Sequence, residues 1–370
     1  MKLAALARPF VALAVAAALI SVILLTLGAS PISVFKALYD GAFGNWVVFT
    51  DTLTKSIPLL FCGLAISVAF EGALWNIGAN GQLLAGAMSA GALGPRLRGW
   101  PHAFATAALL IAGASGGALW GGIAGWLRAR RDVNEVISTI MLNFVAAQIL
   151  SWLVHGPLIE ASRAYPMSAP IAPVAELRFY YPPSRLNLGM LLAVALAFAC
   201  HAFLYHTEKG FELRAMGRNR HAAAFFGIDT GWLTVWVMAL SGGLAGLGGA
   251  THLAAITHRL YETLSPGWGY EAIAVALIAR LNPLAIVPSS ILFGALDNGA
   301  QAMQRTQGIS PVLVQVIQGL VIMILLAFDT TAWIAFRNAL WTSPPTGEQN
   351  QPAVSALSEG KSSASFTHQT

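Results

Sequence analysis

Apolar runs long enough to cross a lipid bilayer recur along the whole chain, and short joints between them carry most of the charge. The first run, Phe10–Leu27, follows Lys2 and Arg8. A charged start and an apolar run suggest a signal peptide, but this run outlasts the roughly 7–15 residues of a signal core. At about 1.5 Å per residue it is long enough to cross about 30 Å of hydrocarbon, so it reads as an uncleaved transmembrane helix. Further spans are expected at Leu53–Leu74, Ile77–Leu93, Phe104–Leu127, Glu135–His155, Leu188–His206, Trp232–Ile256, Tyr270–Ile278, Ala285–Ala300 and Val312–Phe328. The expected fold class is therefore all-α: a polytopic membrane protein of about ten transmembrane helices, some short or broken. Ser30–Asp51 reads as a loop with a re-entrant or interfacial turn near Trp46. Residues 1–341 form the transmembrane domain, and residues 342–370, rich in Ser, Pro and Gln, read as a disordered polar cytoplasmic tail.

Composition excludes the soluble alternatives. Hydrophobic residues make up 56% of the 370 and charged residues 10%, against about 25% charged in soluble domains. The 36 glycines sit inside apolar runs, where they let helix backbones approach closely. A net charge of +5 could indicate nucleic acid, but the bases are scattered between apolar runs, as in the loops of a membrane protein. Cys62 and Cys200 both fall in apolar segments and read as small buried hydrophobes.

Basic joints set the orientation. With a cytoplasmic N-terminus, ten crossings put Arg128–Arg131 and the Lys209–Arg220 stretch inside, as the positive-inside rule favours. The proline-rich loop Gly156–Asn187 then lies outside.

No catalytic constellation is present. No glycine-rich loop ends in Gly-Lys-Ser/Thr, and Gly242–Gly249 lies in an apolar run and reads as a helix-packing surface. The eight histidines show no metal-ligand spacing. The chain thus binds no ATP, metal or other cofactor of its own, and is not an enzyme. What remains are polar groups at membrane depth, each costly unless paired or facing a wet cavity. Glu71, Asn76, Asn80, Gln82, Asn143, Glu271 and Asp297 are the candidates for a translocation path; the alternative for any Asn or Gln is an inter-helix hydrogen bond. GANGQLLAGAMSA (Gly78–Ala90) and GWGYEAIAVALIA (Gly267–Ala279) resemble one another weakly, as two halves of an internal repeat would.

Glu208–Thr230 is the one long interior stretch that mixes charge with helix signals. Asn219 can cap a helix start and Gly227 can end one. Between them Ala222, Phe225 and Phe226 stand at i, i+3 and i+4 and share a face. A helix of about two turns is marginal alone and needs something to dock against.

Four stretches, Leu74–Ala90, Asn134–Ile149, Gly210–Asp229 and Gly267–Leu296, resemble the membrane-spanning permease subunits of ATP-binding-cassette importers for simple sugars and nucleosides. Order and spacing also match, over roughly Pro58–Phe328. The run from Asn134 to Asn143 and the turn Arg280–Pro283 are similar to the nucleoside-type branch. The family commonly has Glu where this chain has Asn80. The resemblance implies that Arg214, Ala215, Gly217, Asn219, Ala222, Ala223 and Gly227 form a coupling helix that docks on a separate ATPase subunit. It also implies a second, paralogous permease subunit, an extracytoplasmic solute-binding protein contacting Gly156–Asn187, and residence in the cell inner membrane. A branched-chain amino-acid permease is the nearest alternative. A gradient-driven secondary transporter using Glu71 or Asp297 is the alternative class.

Overall fold

The computed structural model describes residues 30–180 and 183–308, with scattered positions in 15–26 and 316–324. Among these residues the chain is helical, apart from isolated β-bridges in the loops. Part of the predicted first span, most of the last span and the polar tail lie outside the described residues.

Polar residues in the joints start the helices by accepting a backbone N–H that has no partner within the helix. Asn45 caps α2 (Trp46–Glu71), Asn134 caps α5 (Glu135–His155), and Asn187 caps α6 (Leu188–His206). Asp229 caps α9 (Thr230–His252), which runs on as one π turn, Leu253–Thr257. Asn282 caps α11 (Pro283–Gln307).

The loop expected at Ser30–Asp51 is instead helical: α1 covers Pro31–Phe43, and Trp46 opens α2. Pro31 sits at the first helical position, where its fixed φ suits a start, and Asn45 supplies the next cap. Short polar interruptions had concealed both signals.

Among the described residues, five helices are long and apolar enough to cross a membrane: α2, α4 (His102–Arg131), α5, α6, and α9 with its π turn. The helix α2 is buried almost all round, whereas α4, α5 and α6 turn large apolar side chains outward, among them Leu119, Phe144, Trp152 and Phe198. In water so much exposed apolar surface would drive aggregation, and in lipid it is the expected outer face. The chain is a multi-pass membrane protein.

The glycine-rich stretch of α9 is a packing surface, as its setting predicts. A Cβ on Gly242 or Gly246 would collide with the α4 backbone at Gly117 and Gly113. The helix α3 (Ala79–Leu93) joins the same contact, where Gly86 meets Gly246 and Gly249 meets Leu83. Where lipid is as apolar as leucine, such close backbone approach is what holds helices together.

Two short helices start at one point and run in opposite directions. Both α3 and α10 (Trp268–Ile278) are reached through non-helical linkers, Gly72–Gly78 and His258–Gly267. Near the far end of α3, Gly91 packs on Leu260. Just past the far end of α10, the Leu281 carbonyl accepts from Ser67 near the C-terminus of α2. The shared starting point is level with the middle of α9, because Asn76 in the first linker bonds to Ser241, about 16 Å along α9 from its first residue.

Candidate functional site

The residues heading α3 and α10 form one buried hydrogen-bonded knot. Asn76 and Gln82 pair amide to amide: Asn76 Nδ2 donates to Gln82 Oε1 (2.9 Å), and Gln82 Nε2 donates back to Asn76 Oδ1 (3.0 Å). Asn76 Nδ2 also donates to Ser241 Oγ (2.8 Å), which donates to the Ala65 carbonyl of α2 (2.6 Å). Asn143, from α5, accepts from the Gly81 amide (2.7 Å) and donates to the Ile77 carbonyl (2.9 Å) and the Tyr270 hydroxyl (3.1 Å). Asn80 Oδ1 accepts from Ser265 Oγ (2.7 Å) and the Gly269 amide (3.4 Å). One neutral acceptor thus sits between two helix N-termini, each carrying partial positive charge. Contact there is so close that a Cβ on Gly269 would overlap Asn80.

The structure therefore brings Asn76, Asn80, Gln82 and Asn143 together and puts Glu271 in the first turn of α10 beside them. Of the other two carboxylates, Asp297 lies within electrostatic reach of Glu271 and Glu71 stands apart. Asp297, on α11, pairs with Lys55 of α2 at 3.1 Å. Glu71 is the last residue of α2.

Glu71 lies where the charged central stretch meets the helical bundle. That stretch folds as two helices, α7 (Glu208–Arg218) and α8 (Arg220–Phe225), so it is longer than the single short helix expected. The Thr207 hydroxyl accepts from the Gly210 amide (3.0 Å) and caps the unforeseen α7. Asn219 Oδ1 accepts from the Ala222 amide (3.0 Å), and Gly227 ends the turn with φ +87°, a conformation that glycine adopts without strain. Leu213 and Met216 of α7 are buried against the end of α2, and Gly217 packs on the Glu71 carbonyl. Arg214, Ala215 and Gly217 thus lie on α7, Asn219 at the joint, and Ala222 and Ala223 on α8. The Arg214 guanidinium lies over the Tyr205 ring, 5.1 Å from its centre. Outward, Phe225 and Phe226 are 87% and 80% exposed.

A cavity of about 610 Å³ opens beside the knot, between α2, the π turn, the second linker, α10 and α11.

The loop Gly156–Asn187 clasps the π turn and the second linker. The Ile171 and Leu177 amides donate to the carbonyls of His258 and Ala254 (2.9 Å each), Ser168 exchanges bonds with Leu260, and Arg259 pairs with Glu160.

A family model described as branched-chain amino acid transport system / permease component matches residues 48–326. The chain belongs to that family. The permease is 30% identical over 335 residues to the glucose ABC transporter permease protein TsgB13 of Haloferax volcanii, covering 87% of each chain. It is 32% identical over 327 residues to the guanosine ABC transporter permease protein NupP of Bacillus subtilis, covering 87% of this chain and 93% of the relative. It is 29% identical over 323 residues to the nucleoside ABC transporter permease protein NupB of Lactococcus lactis, covering 85% and 88%. No solved structure matches the permease.

The sequence reading missed several members of the permease's knot and cavity. Ser241, Ser265 and Tyr270 carry no spacing that separates them from ordinary polar residues in a linker or helix. Lys55 did carry a signal, being a lone cation inside a predicted apolar span.

Proposed function

We propose that the permease is the membrane-spanning subunit of an ATP-driven importer for a nucleoside or simple sugar, working in the cell inner membrane with its N-terminus in the cytoplasm. The similarity to relatives named for glucose, guanosine and nucleosides, along nearly their whole lengths, carries this solute class over the branched-chain amino acids of the family's title. About ten crossings and an internal repeat, with α3 and α10 as its half-helices, complete the architecture.

Force enters through α7 and α8. The exposed Phe225 and Phe226 suit a groove on a separate ATPase subunit, and Gly217 joins the pair to the end of α2. From there α2 reaches the knot through Ala65 and Ser241, so moving α7 strains the hydrogen bonds that hold the half-helices together. The knot serves as the gate: Asn76, Asn80, Gln82, Asn143 and Glu271 line the path when their mutual bonds open. Glu71 and Asp297 flank it at the coupling end and at the cavity. The loop Gly156–Asn187 receives the extracytoplasmic solute-binding protein, and a second, paralogous permease completes the pathway.

The experiment is uptake of radiolabelled guanosine, glucose and leucine into proteoliposomes holding the assembled transporter, with its binding protein and internal ATP. Accumulation of guanosine or glucose supports the proposal, and accumulation of leucine alone refutes it.

A further inference from the structure

Trp232 and Trp236 stand four residues apart in the first two turns of α9, so they share a face. Trp232 is 67% exposed, and Trp236 packs on Phe203 of α6 with ring centres 5.6 Å apart. Tryptophan at the end of a membrane-spanning helix sits at the level of the lipid headgroups, where its ring is in apolar surroundings and its N–H in polar ones. Beside these rings a groove of about 530 Å³ runs between α7 and α9. Lys209 and Glu212 of α7 line it, together with Asp229 at the start of α9.

These three charged side chains, one cation and two anions, are the groove's polar wall. Lys209 Nζ donates to Glu212 (2.8 Å), so their charges largely cancel. Asp229 caps α9 with one of its two oxygens, accepting from the Trp232 amide (2.9 Å). The Arg220 guanidinium bonds to the Thr230 carbonyl (3.5 Å) and is not part of the wall. The groove is therefore amphipathic: net negative at one end and aromatic at the other.

We propose that this groove holds the headgroup of a phospholipid that ends in a primary ammonium, of the phosphatidylethanolamine kind. The ammonium brings three N–H donors to Asp229 and Glu212, the phosphate turns to Lys209, and the acyl chains run past Trp232 and Trp236. A choline headgroup carries the same charge but has no N–H to donate. A glycerol headgroup sets an uncompensated phosphate against two carboxylates and a single lysine. Because α7 and α9 both wall the groove, an occupant braces the α7–α8 pair against a membrane-spanning helix. That consequence rests on the coupling role put forward above; the binding does not.

The test titrates the assembled transporter in mild detergent with phosphatidylethanolamine, phosphatidylcholine and phosphatidylglycerol of matched chains, and counts bound lipids by native mass spectrometry. The ethanolamine lipid should bind roughly tenfold more tightly than the other two, the scale of a hydrogen bond to a charged group. Asp229→Asn combined with Glu212→Gln keeps the helix cap and the side-chain shapes, and should erase that preference. Equal or tighter binding of the glycerol lipid, no preference over choline, or a preference that survives in the variant overturns the site. A preference seen only when the ATPase subunit is left out also overturns it, and gives the groove to that subunit. Transport-coupled ATP hydrolysis in phosphatidylcholine nanodiscs should rise when ethanolamine lipid is added to the wild type, and not in the variant. Binding without that rise keeps the site and removes the brace. Loss of the binding preference while Gly217→Val still uncouples hydrolysis removes the site and keeps the coupling role.

Discussion

Gly217 packs on the carbonyl of Glu71 with no room for a side chain between them. This is where the α7–α8 pair grips the buried helix α2. Any Cβ at position 217 must push the two backbones apart. Gly217→Val should therefore leave membrane insertion intact but cut ATP hydrolysis coupled to transport at least tenfold, since overpacking strain of about 1–3 kcal/mol falls on this contact. Paired ATPase and uptake assays on the purified assembly check this.

Phe225, the last residue of α8, and Phe226, which follows it, are the large apolar side chains exposed there. Replacing both with Ser should not lower the melting temperature of the isolated permease, because neither is buried. The same change should release the ATPase subunit on size-exclusion chromatography in mild detergent. Asn219→Ala, which removes the cap of α8, should weaken the same association less, by about 1 kcal/mol.

Asn80 holds the starts of α3 and α10 together through one oxygen. Asn80→Leu leaves the Ser265 hydroxyl and the Gly269 amide without that acceptor, at a cost of about 1–3 kcal/mol in a buried setting. Thermal unfolding in detergent should shift downward, and ATP hydrolysis should become less dependent on the binding protein because the gate no longer closes firmly.

The clasp between the loop Gly156–Asn187 and the second linker should depend on pH. The Ser162 hydroxyl and the Arg259 guanidinium bond to the Glu160 carboxylate and hold it below the usual carboxylate range. A depressed carboxyl stabilises the fold above its unfolded value, and that contribution fades as pH falls through its folded value. Hydrogen exchange at the Ser168 and Leu260 amides, which bond across the clasp, corrected for intrinsic rate, should speed up only in acid. Glu160→Gln should reproduce the faster exchange near neutral pH.

Much of this arrangement was legible in the residues, for local reasons. The helix at Arg220–Phe225 follows from Asn219 and Gly227, whose cap and left-handed turn need no tertiary information. The packing role of Gly242 and Gly246 follows from small residues one turn apart in an apolar run. The meeting of Asn80 with Gly269 was not legible. The weak likeness of their two stretches hinted at a pair, but contact across 189 positions of sequence is fixed by how α2, α9 and the linkers fold back. The Lys55–Asp297 pair, across α2 and α11, was hidden in the same way. The segment α1 and the start of α2 were missed because their cues, Pro31 and Asn45, lie in a stretch that reads as punctuation.

The central claim is that the permease makes no force of its own and receives it through α7 and α8. Solute accumulation in proteoliposomes, measured with and without the ATPase subunit at fixed internal ATP and under an imposed proton gradient, tests it most directly. The account predicts accumulation only with the ATPase subunit and ATP, unchanged when an uncoupler collapses the gradient. Gradient-driven accumulation by the permease alone would contradict it.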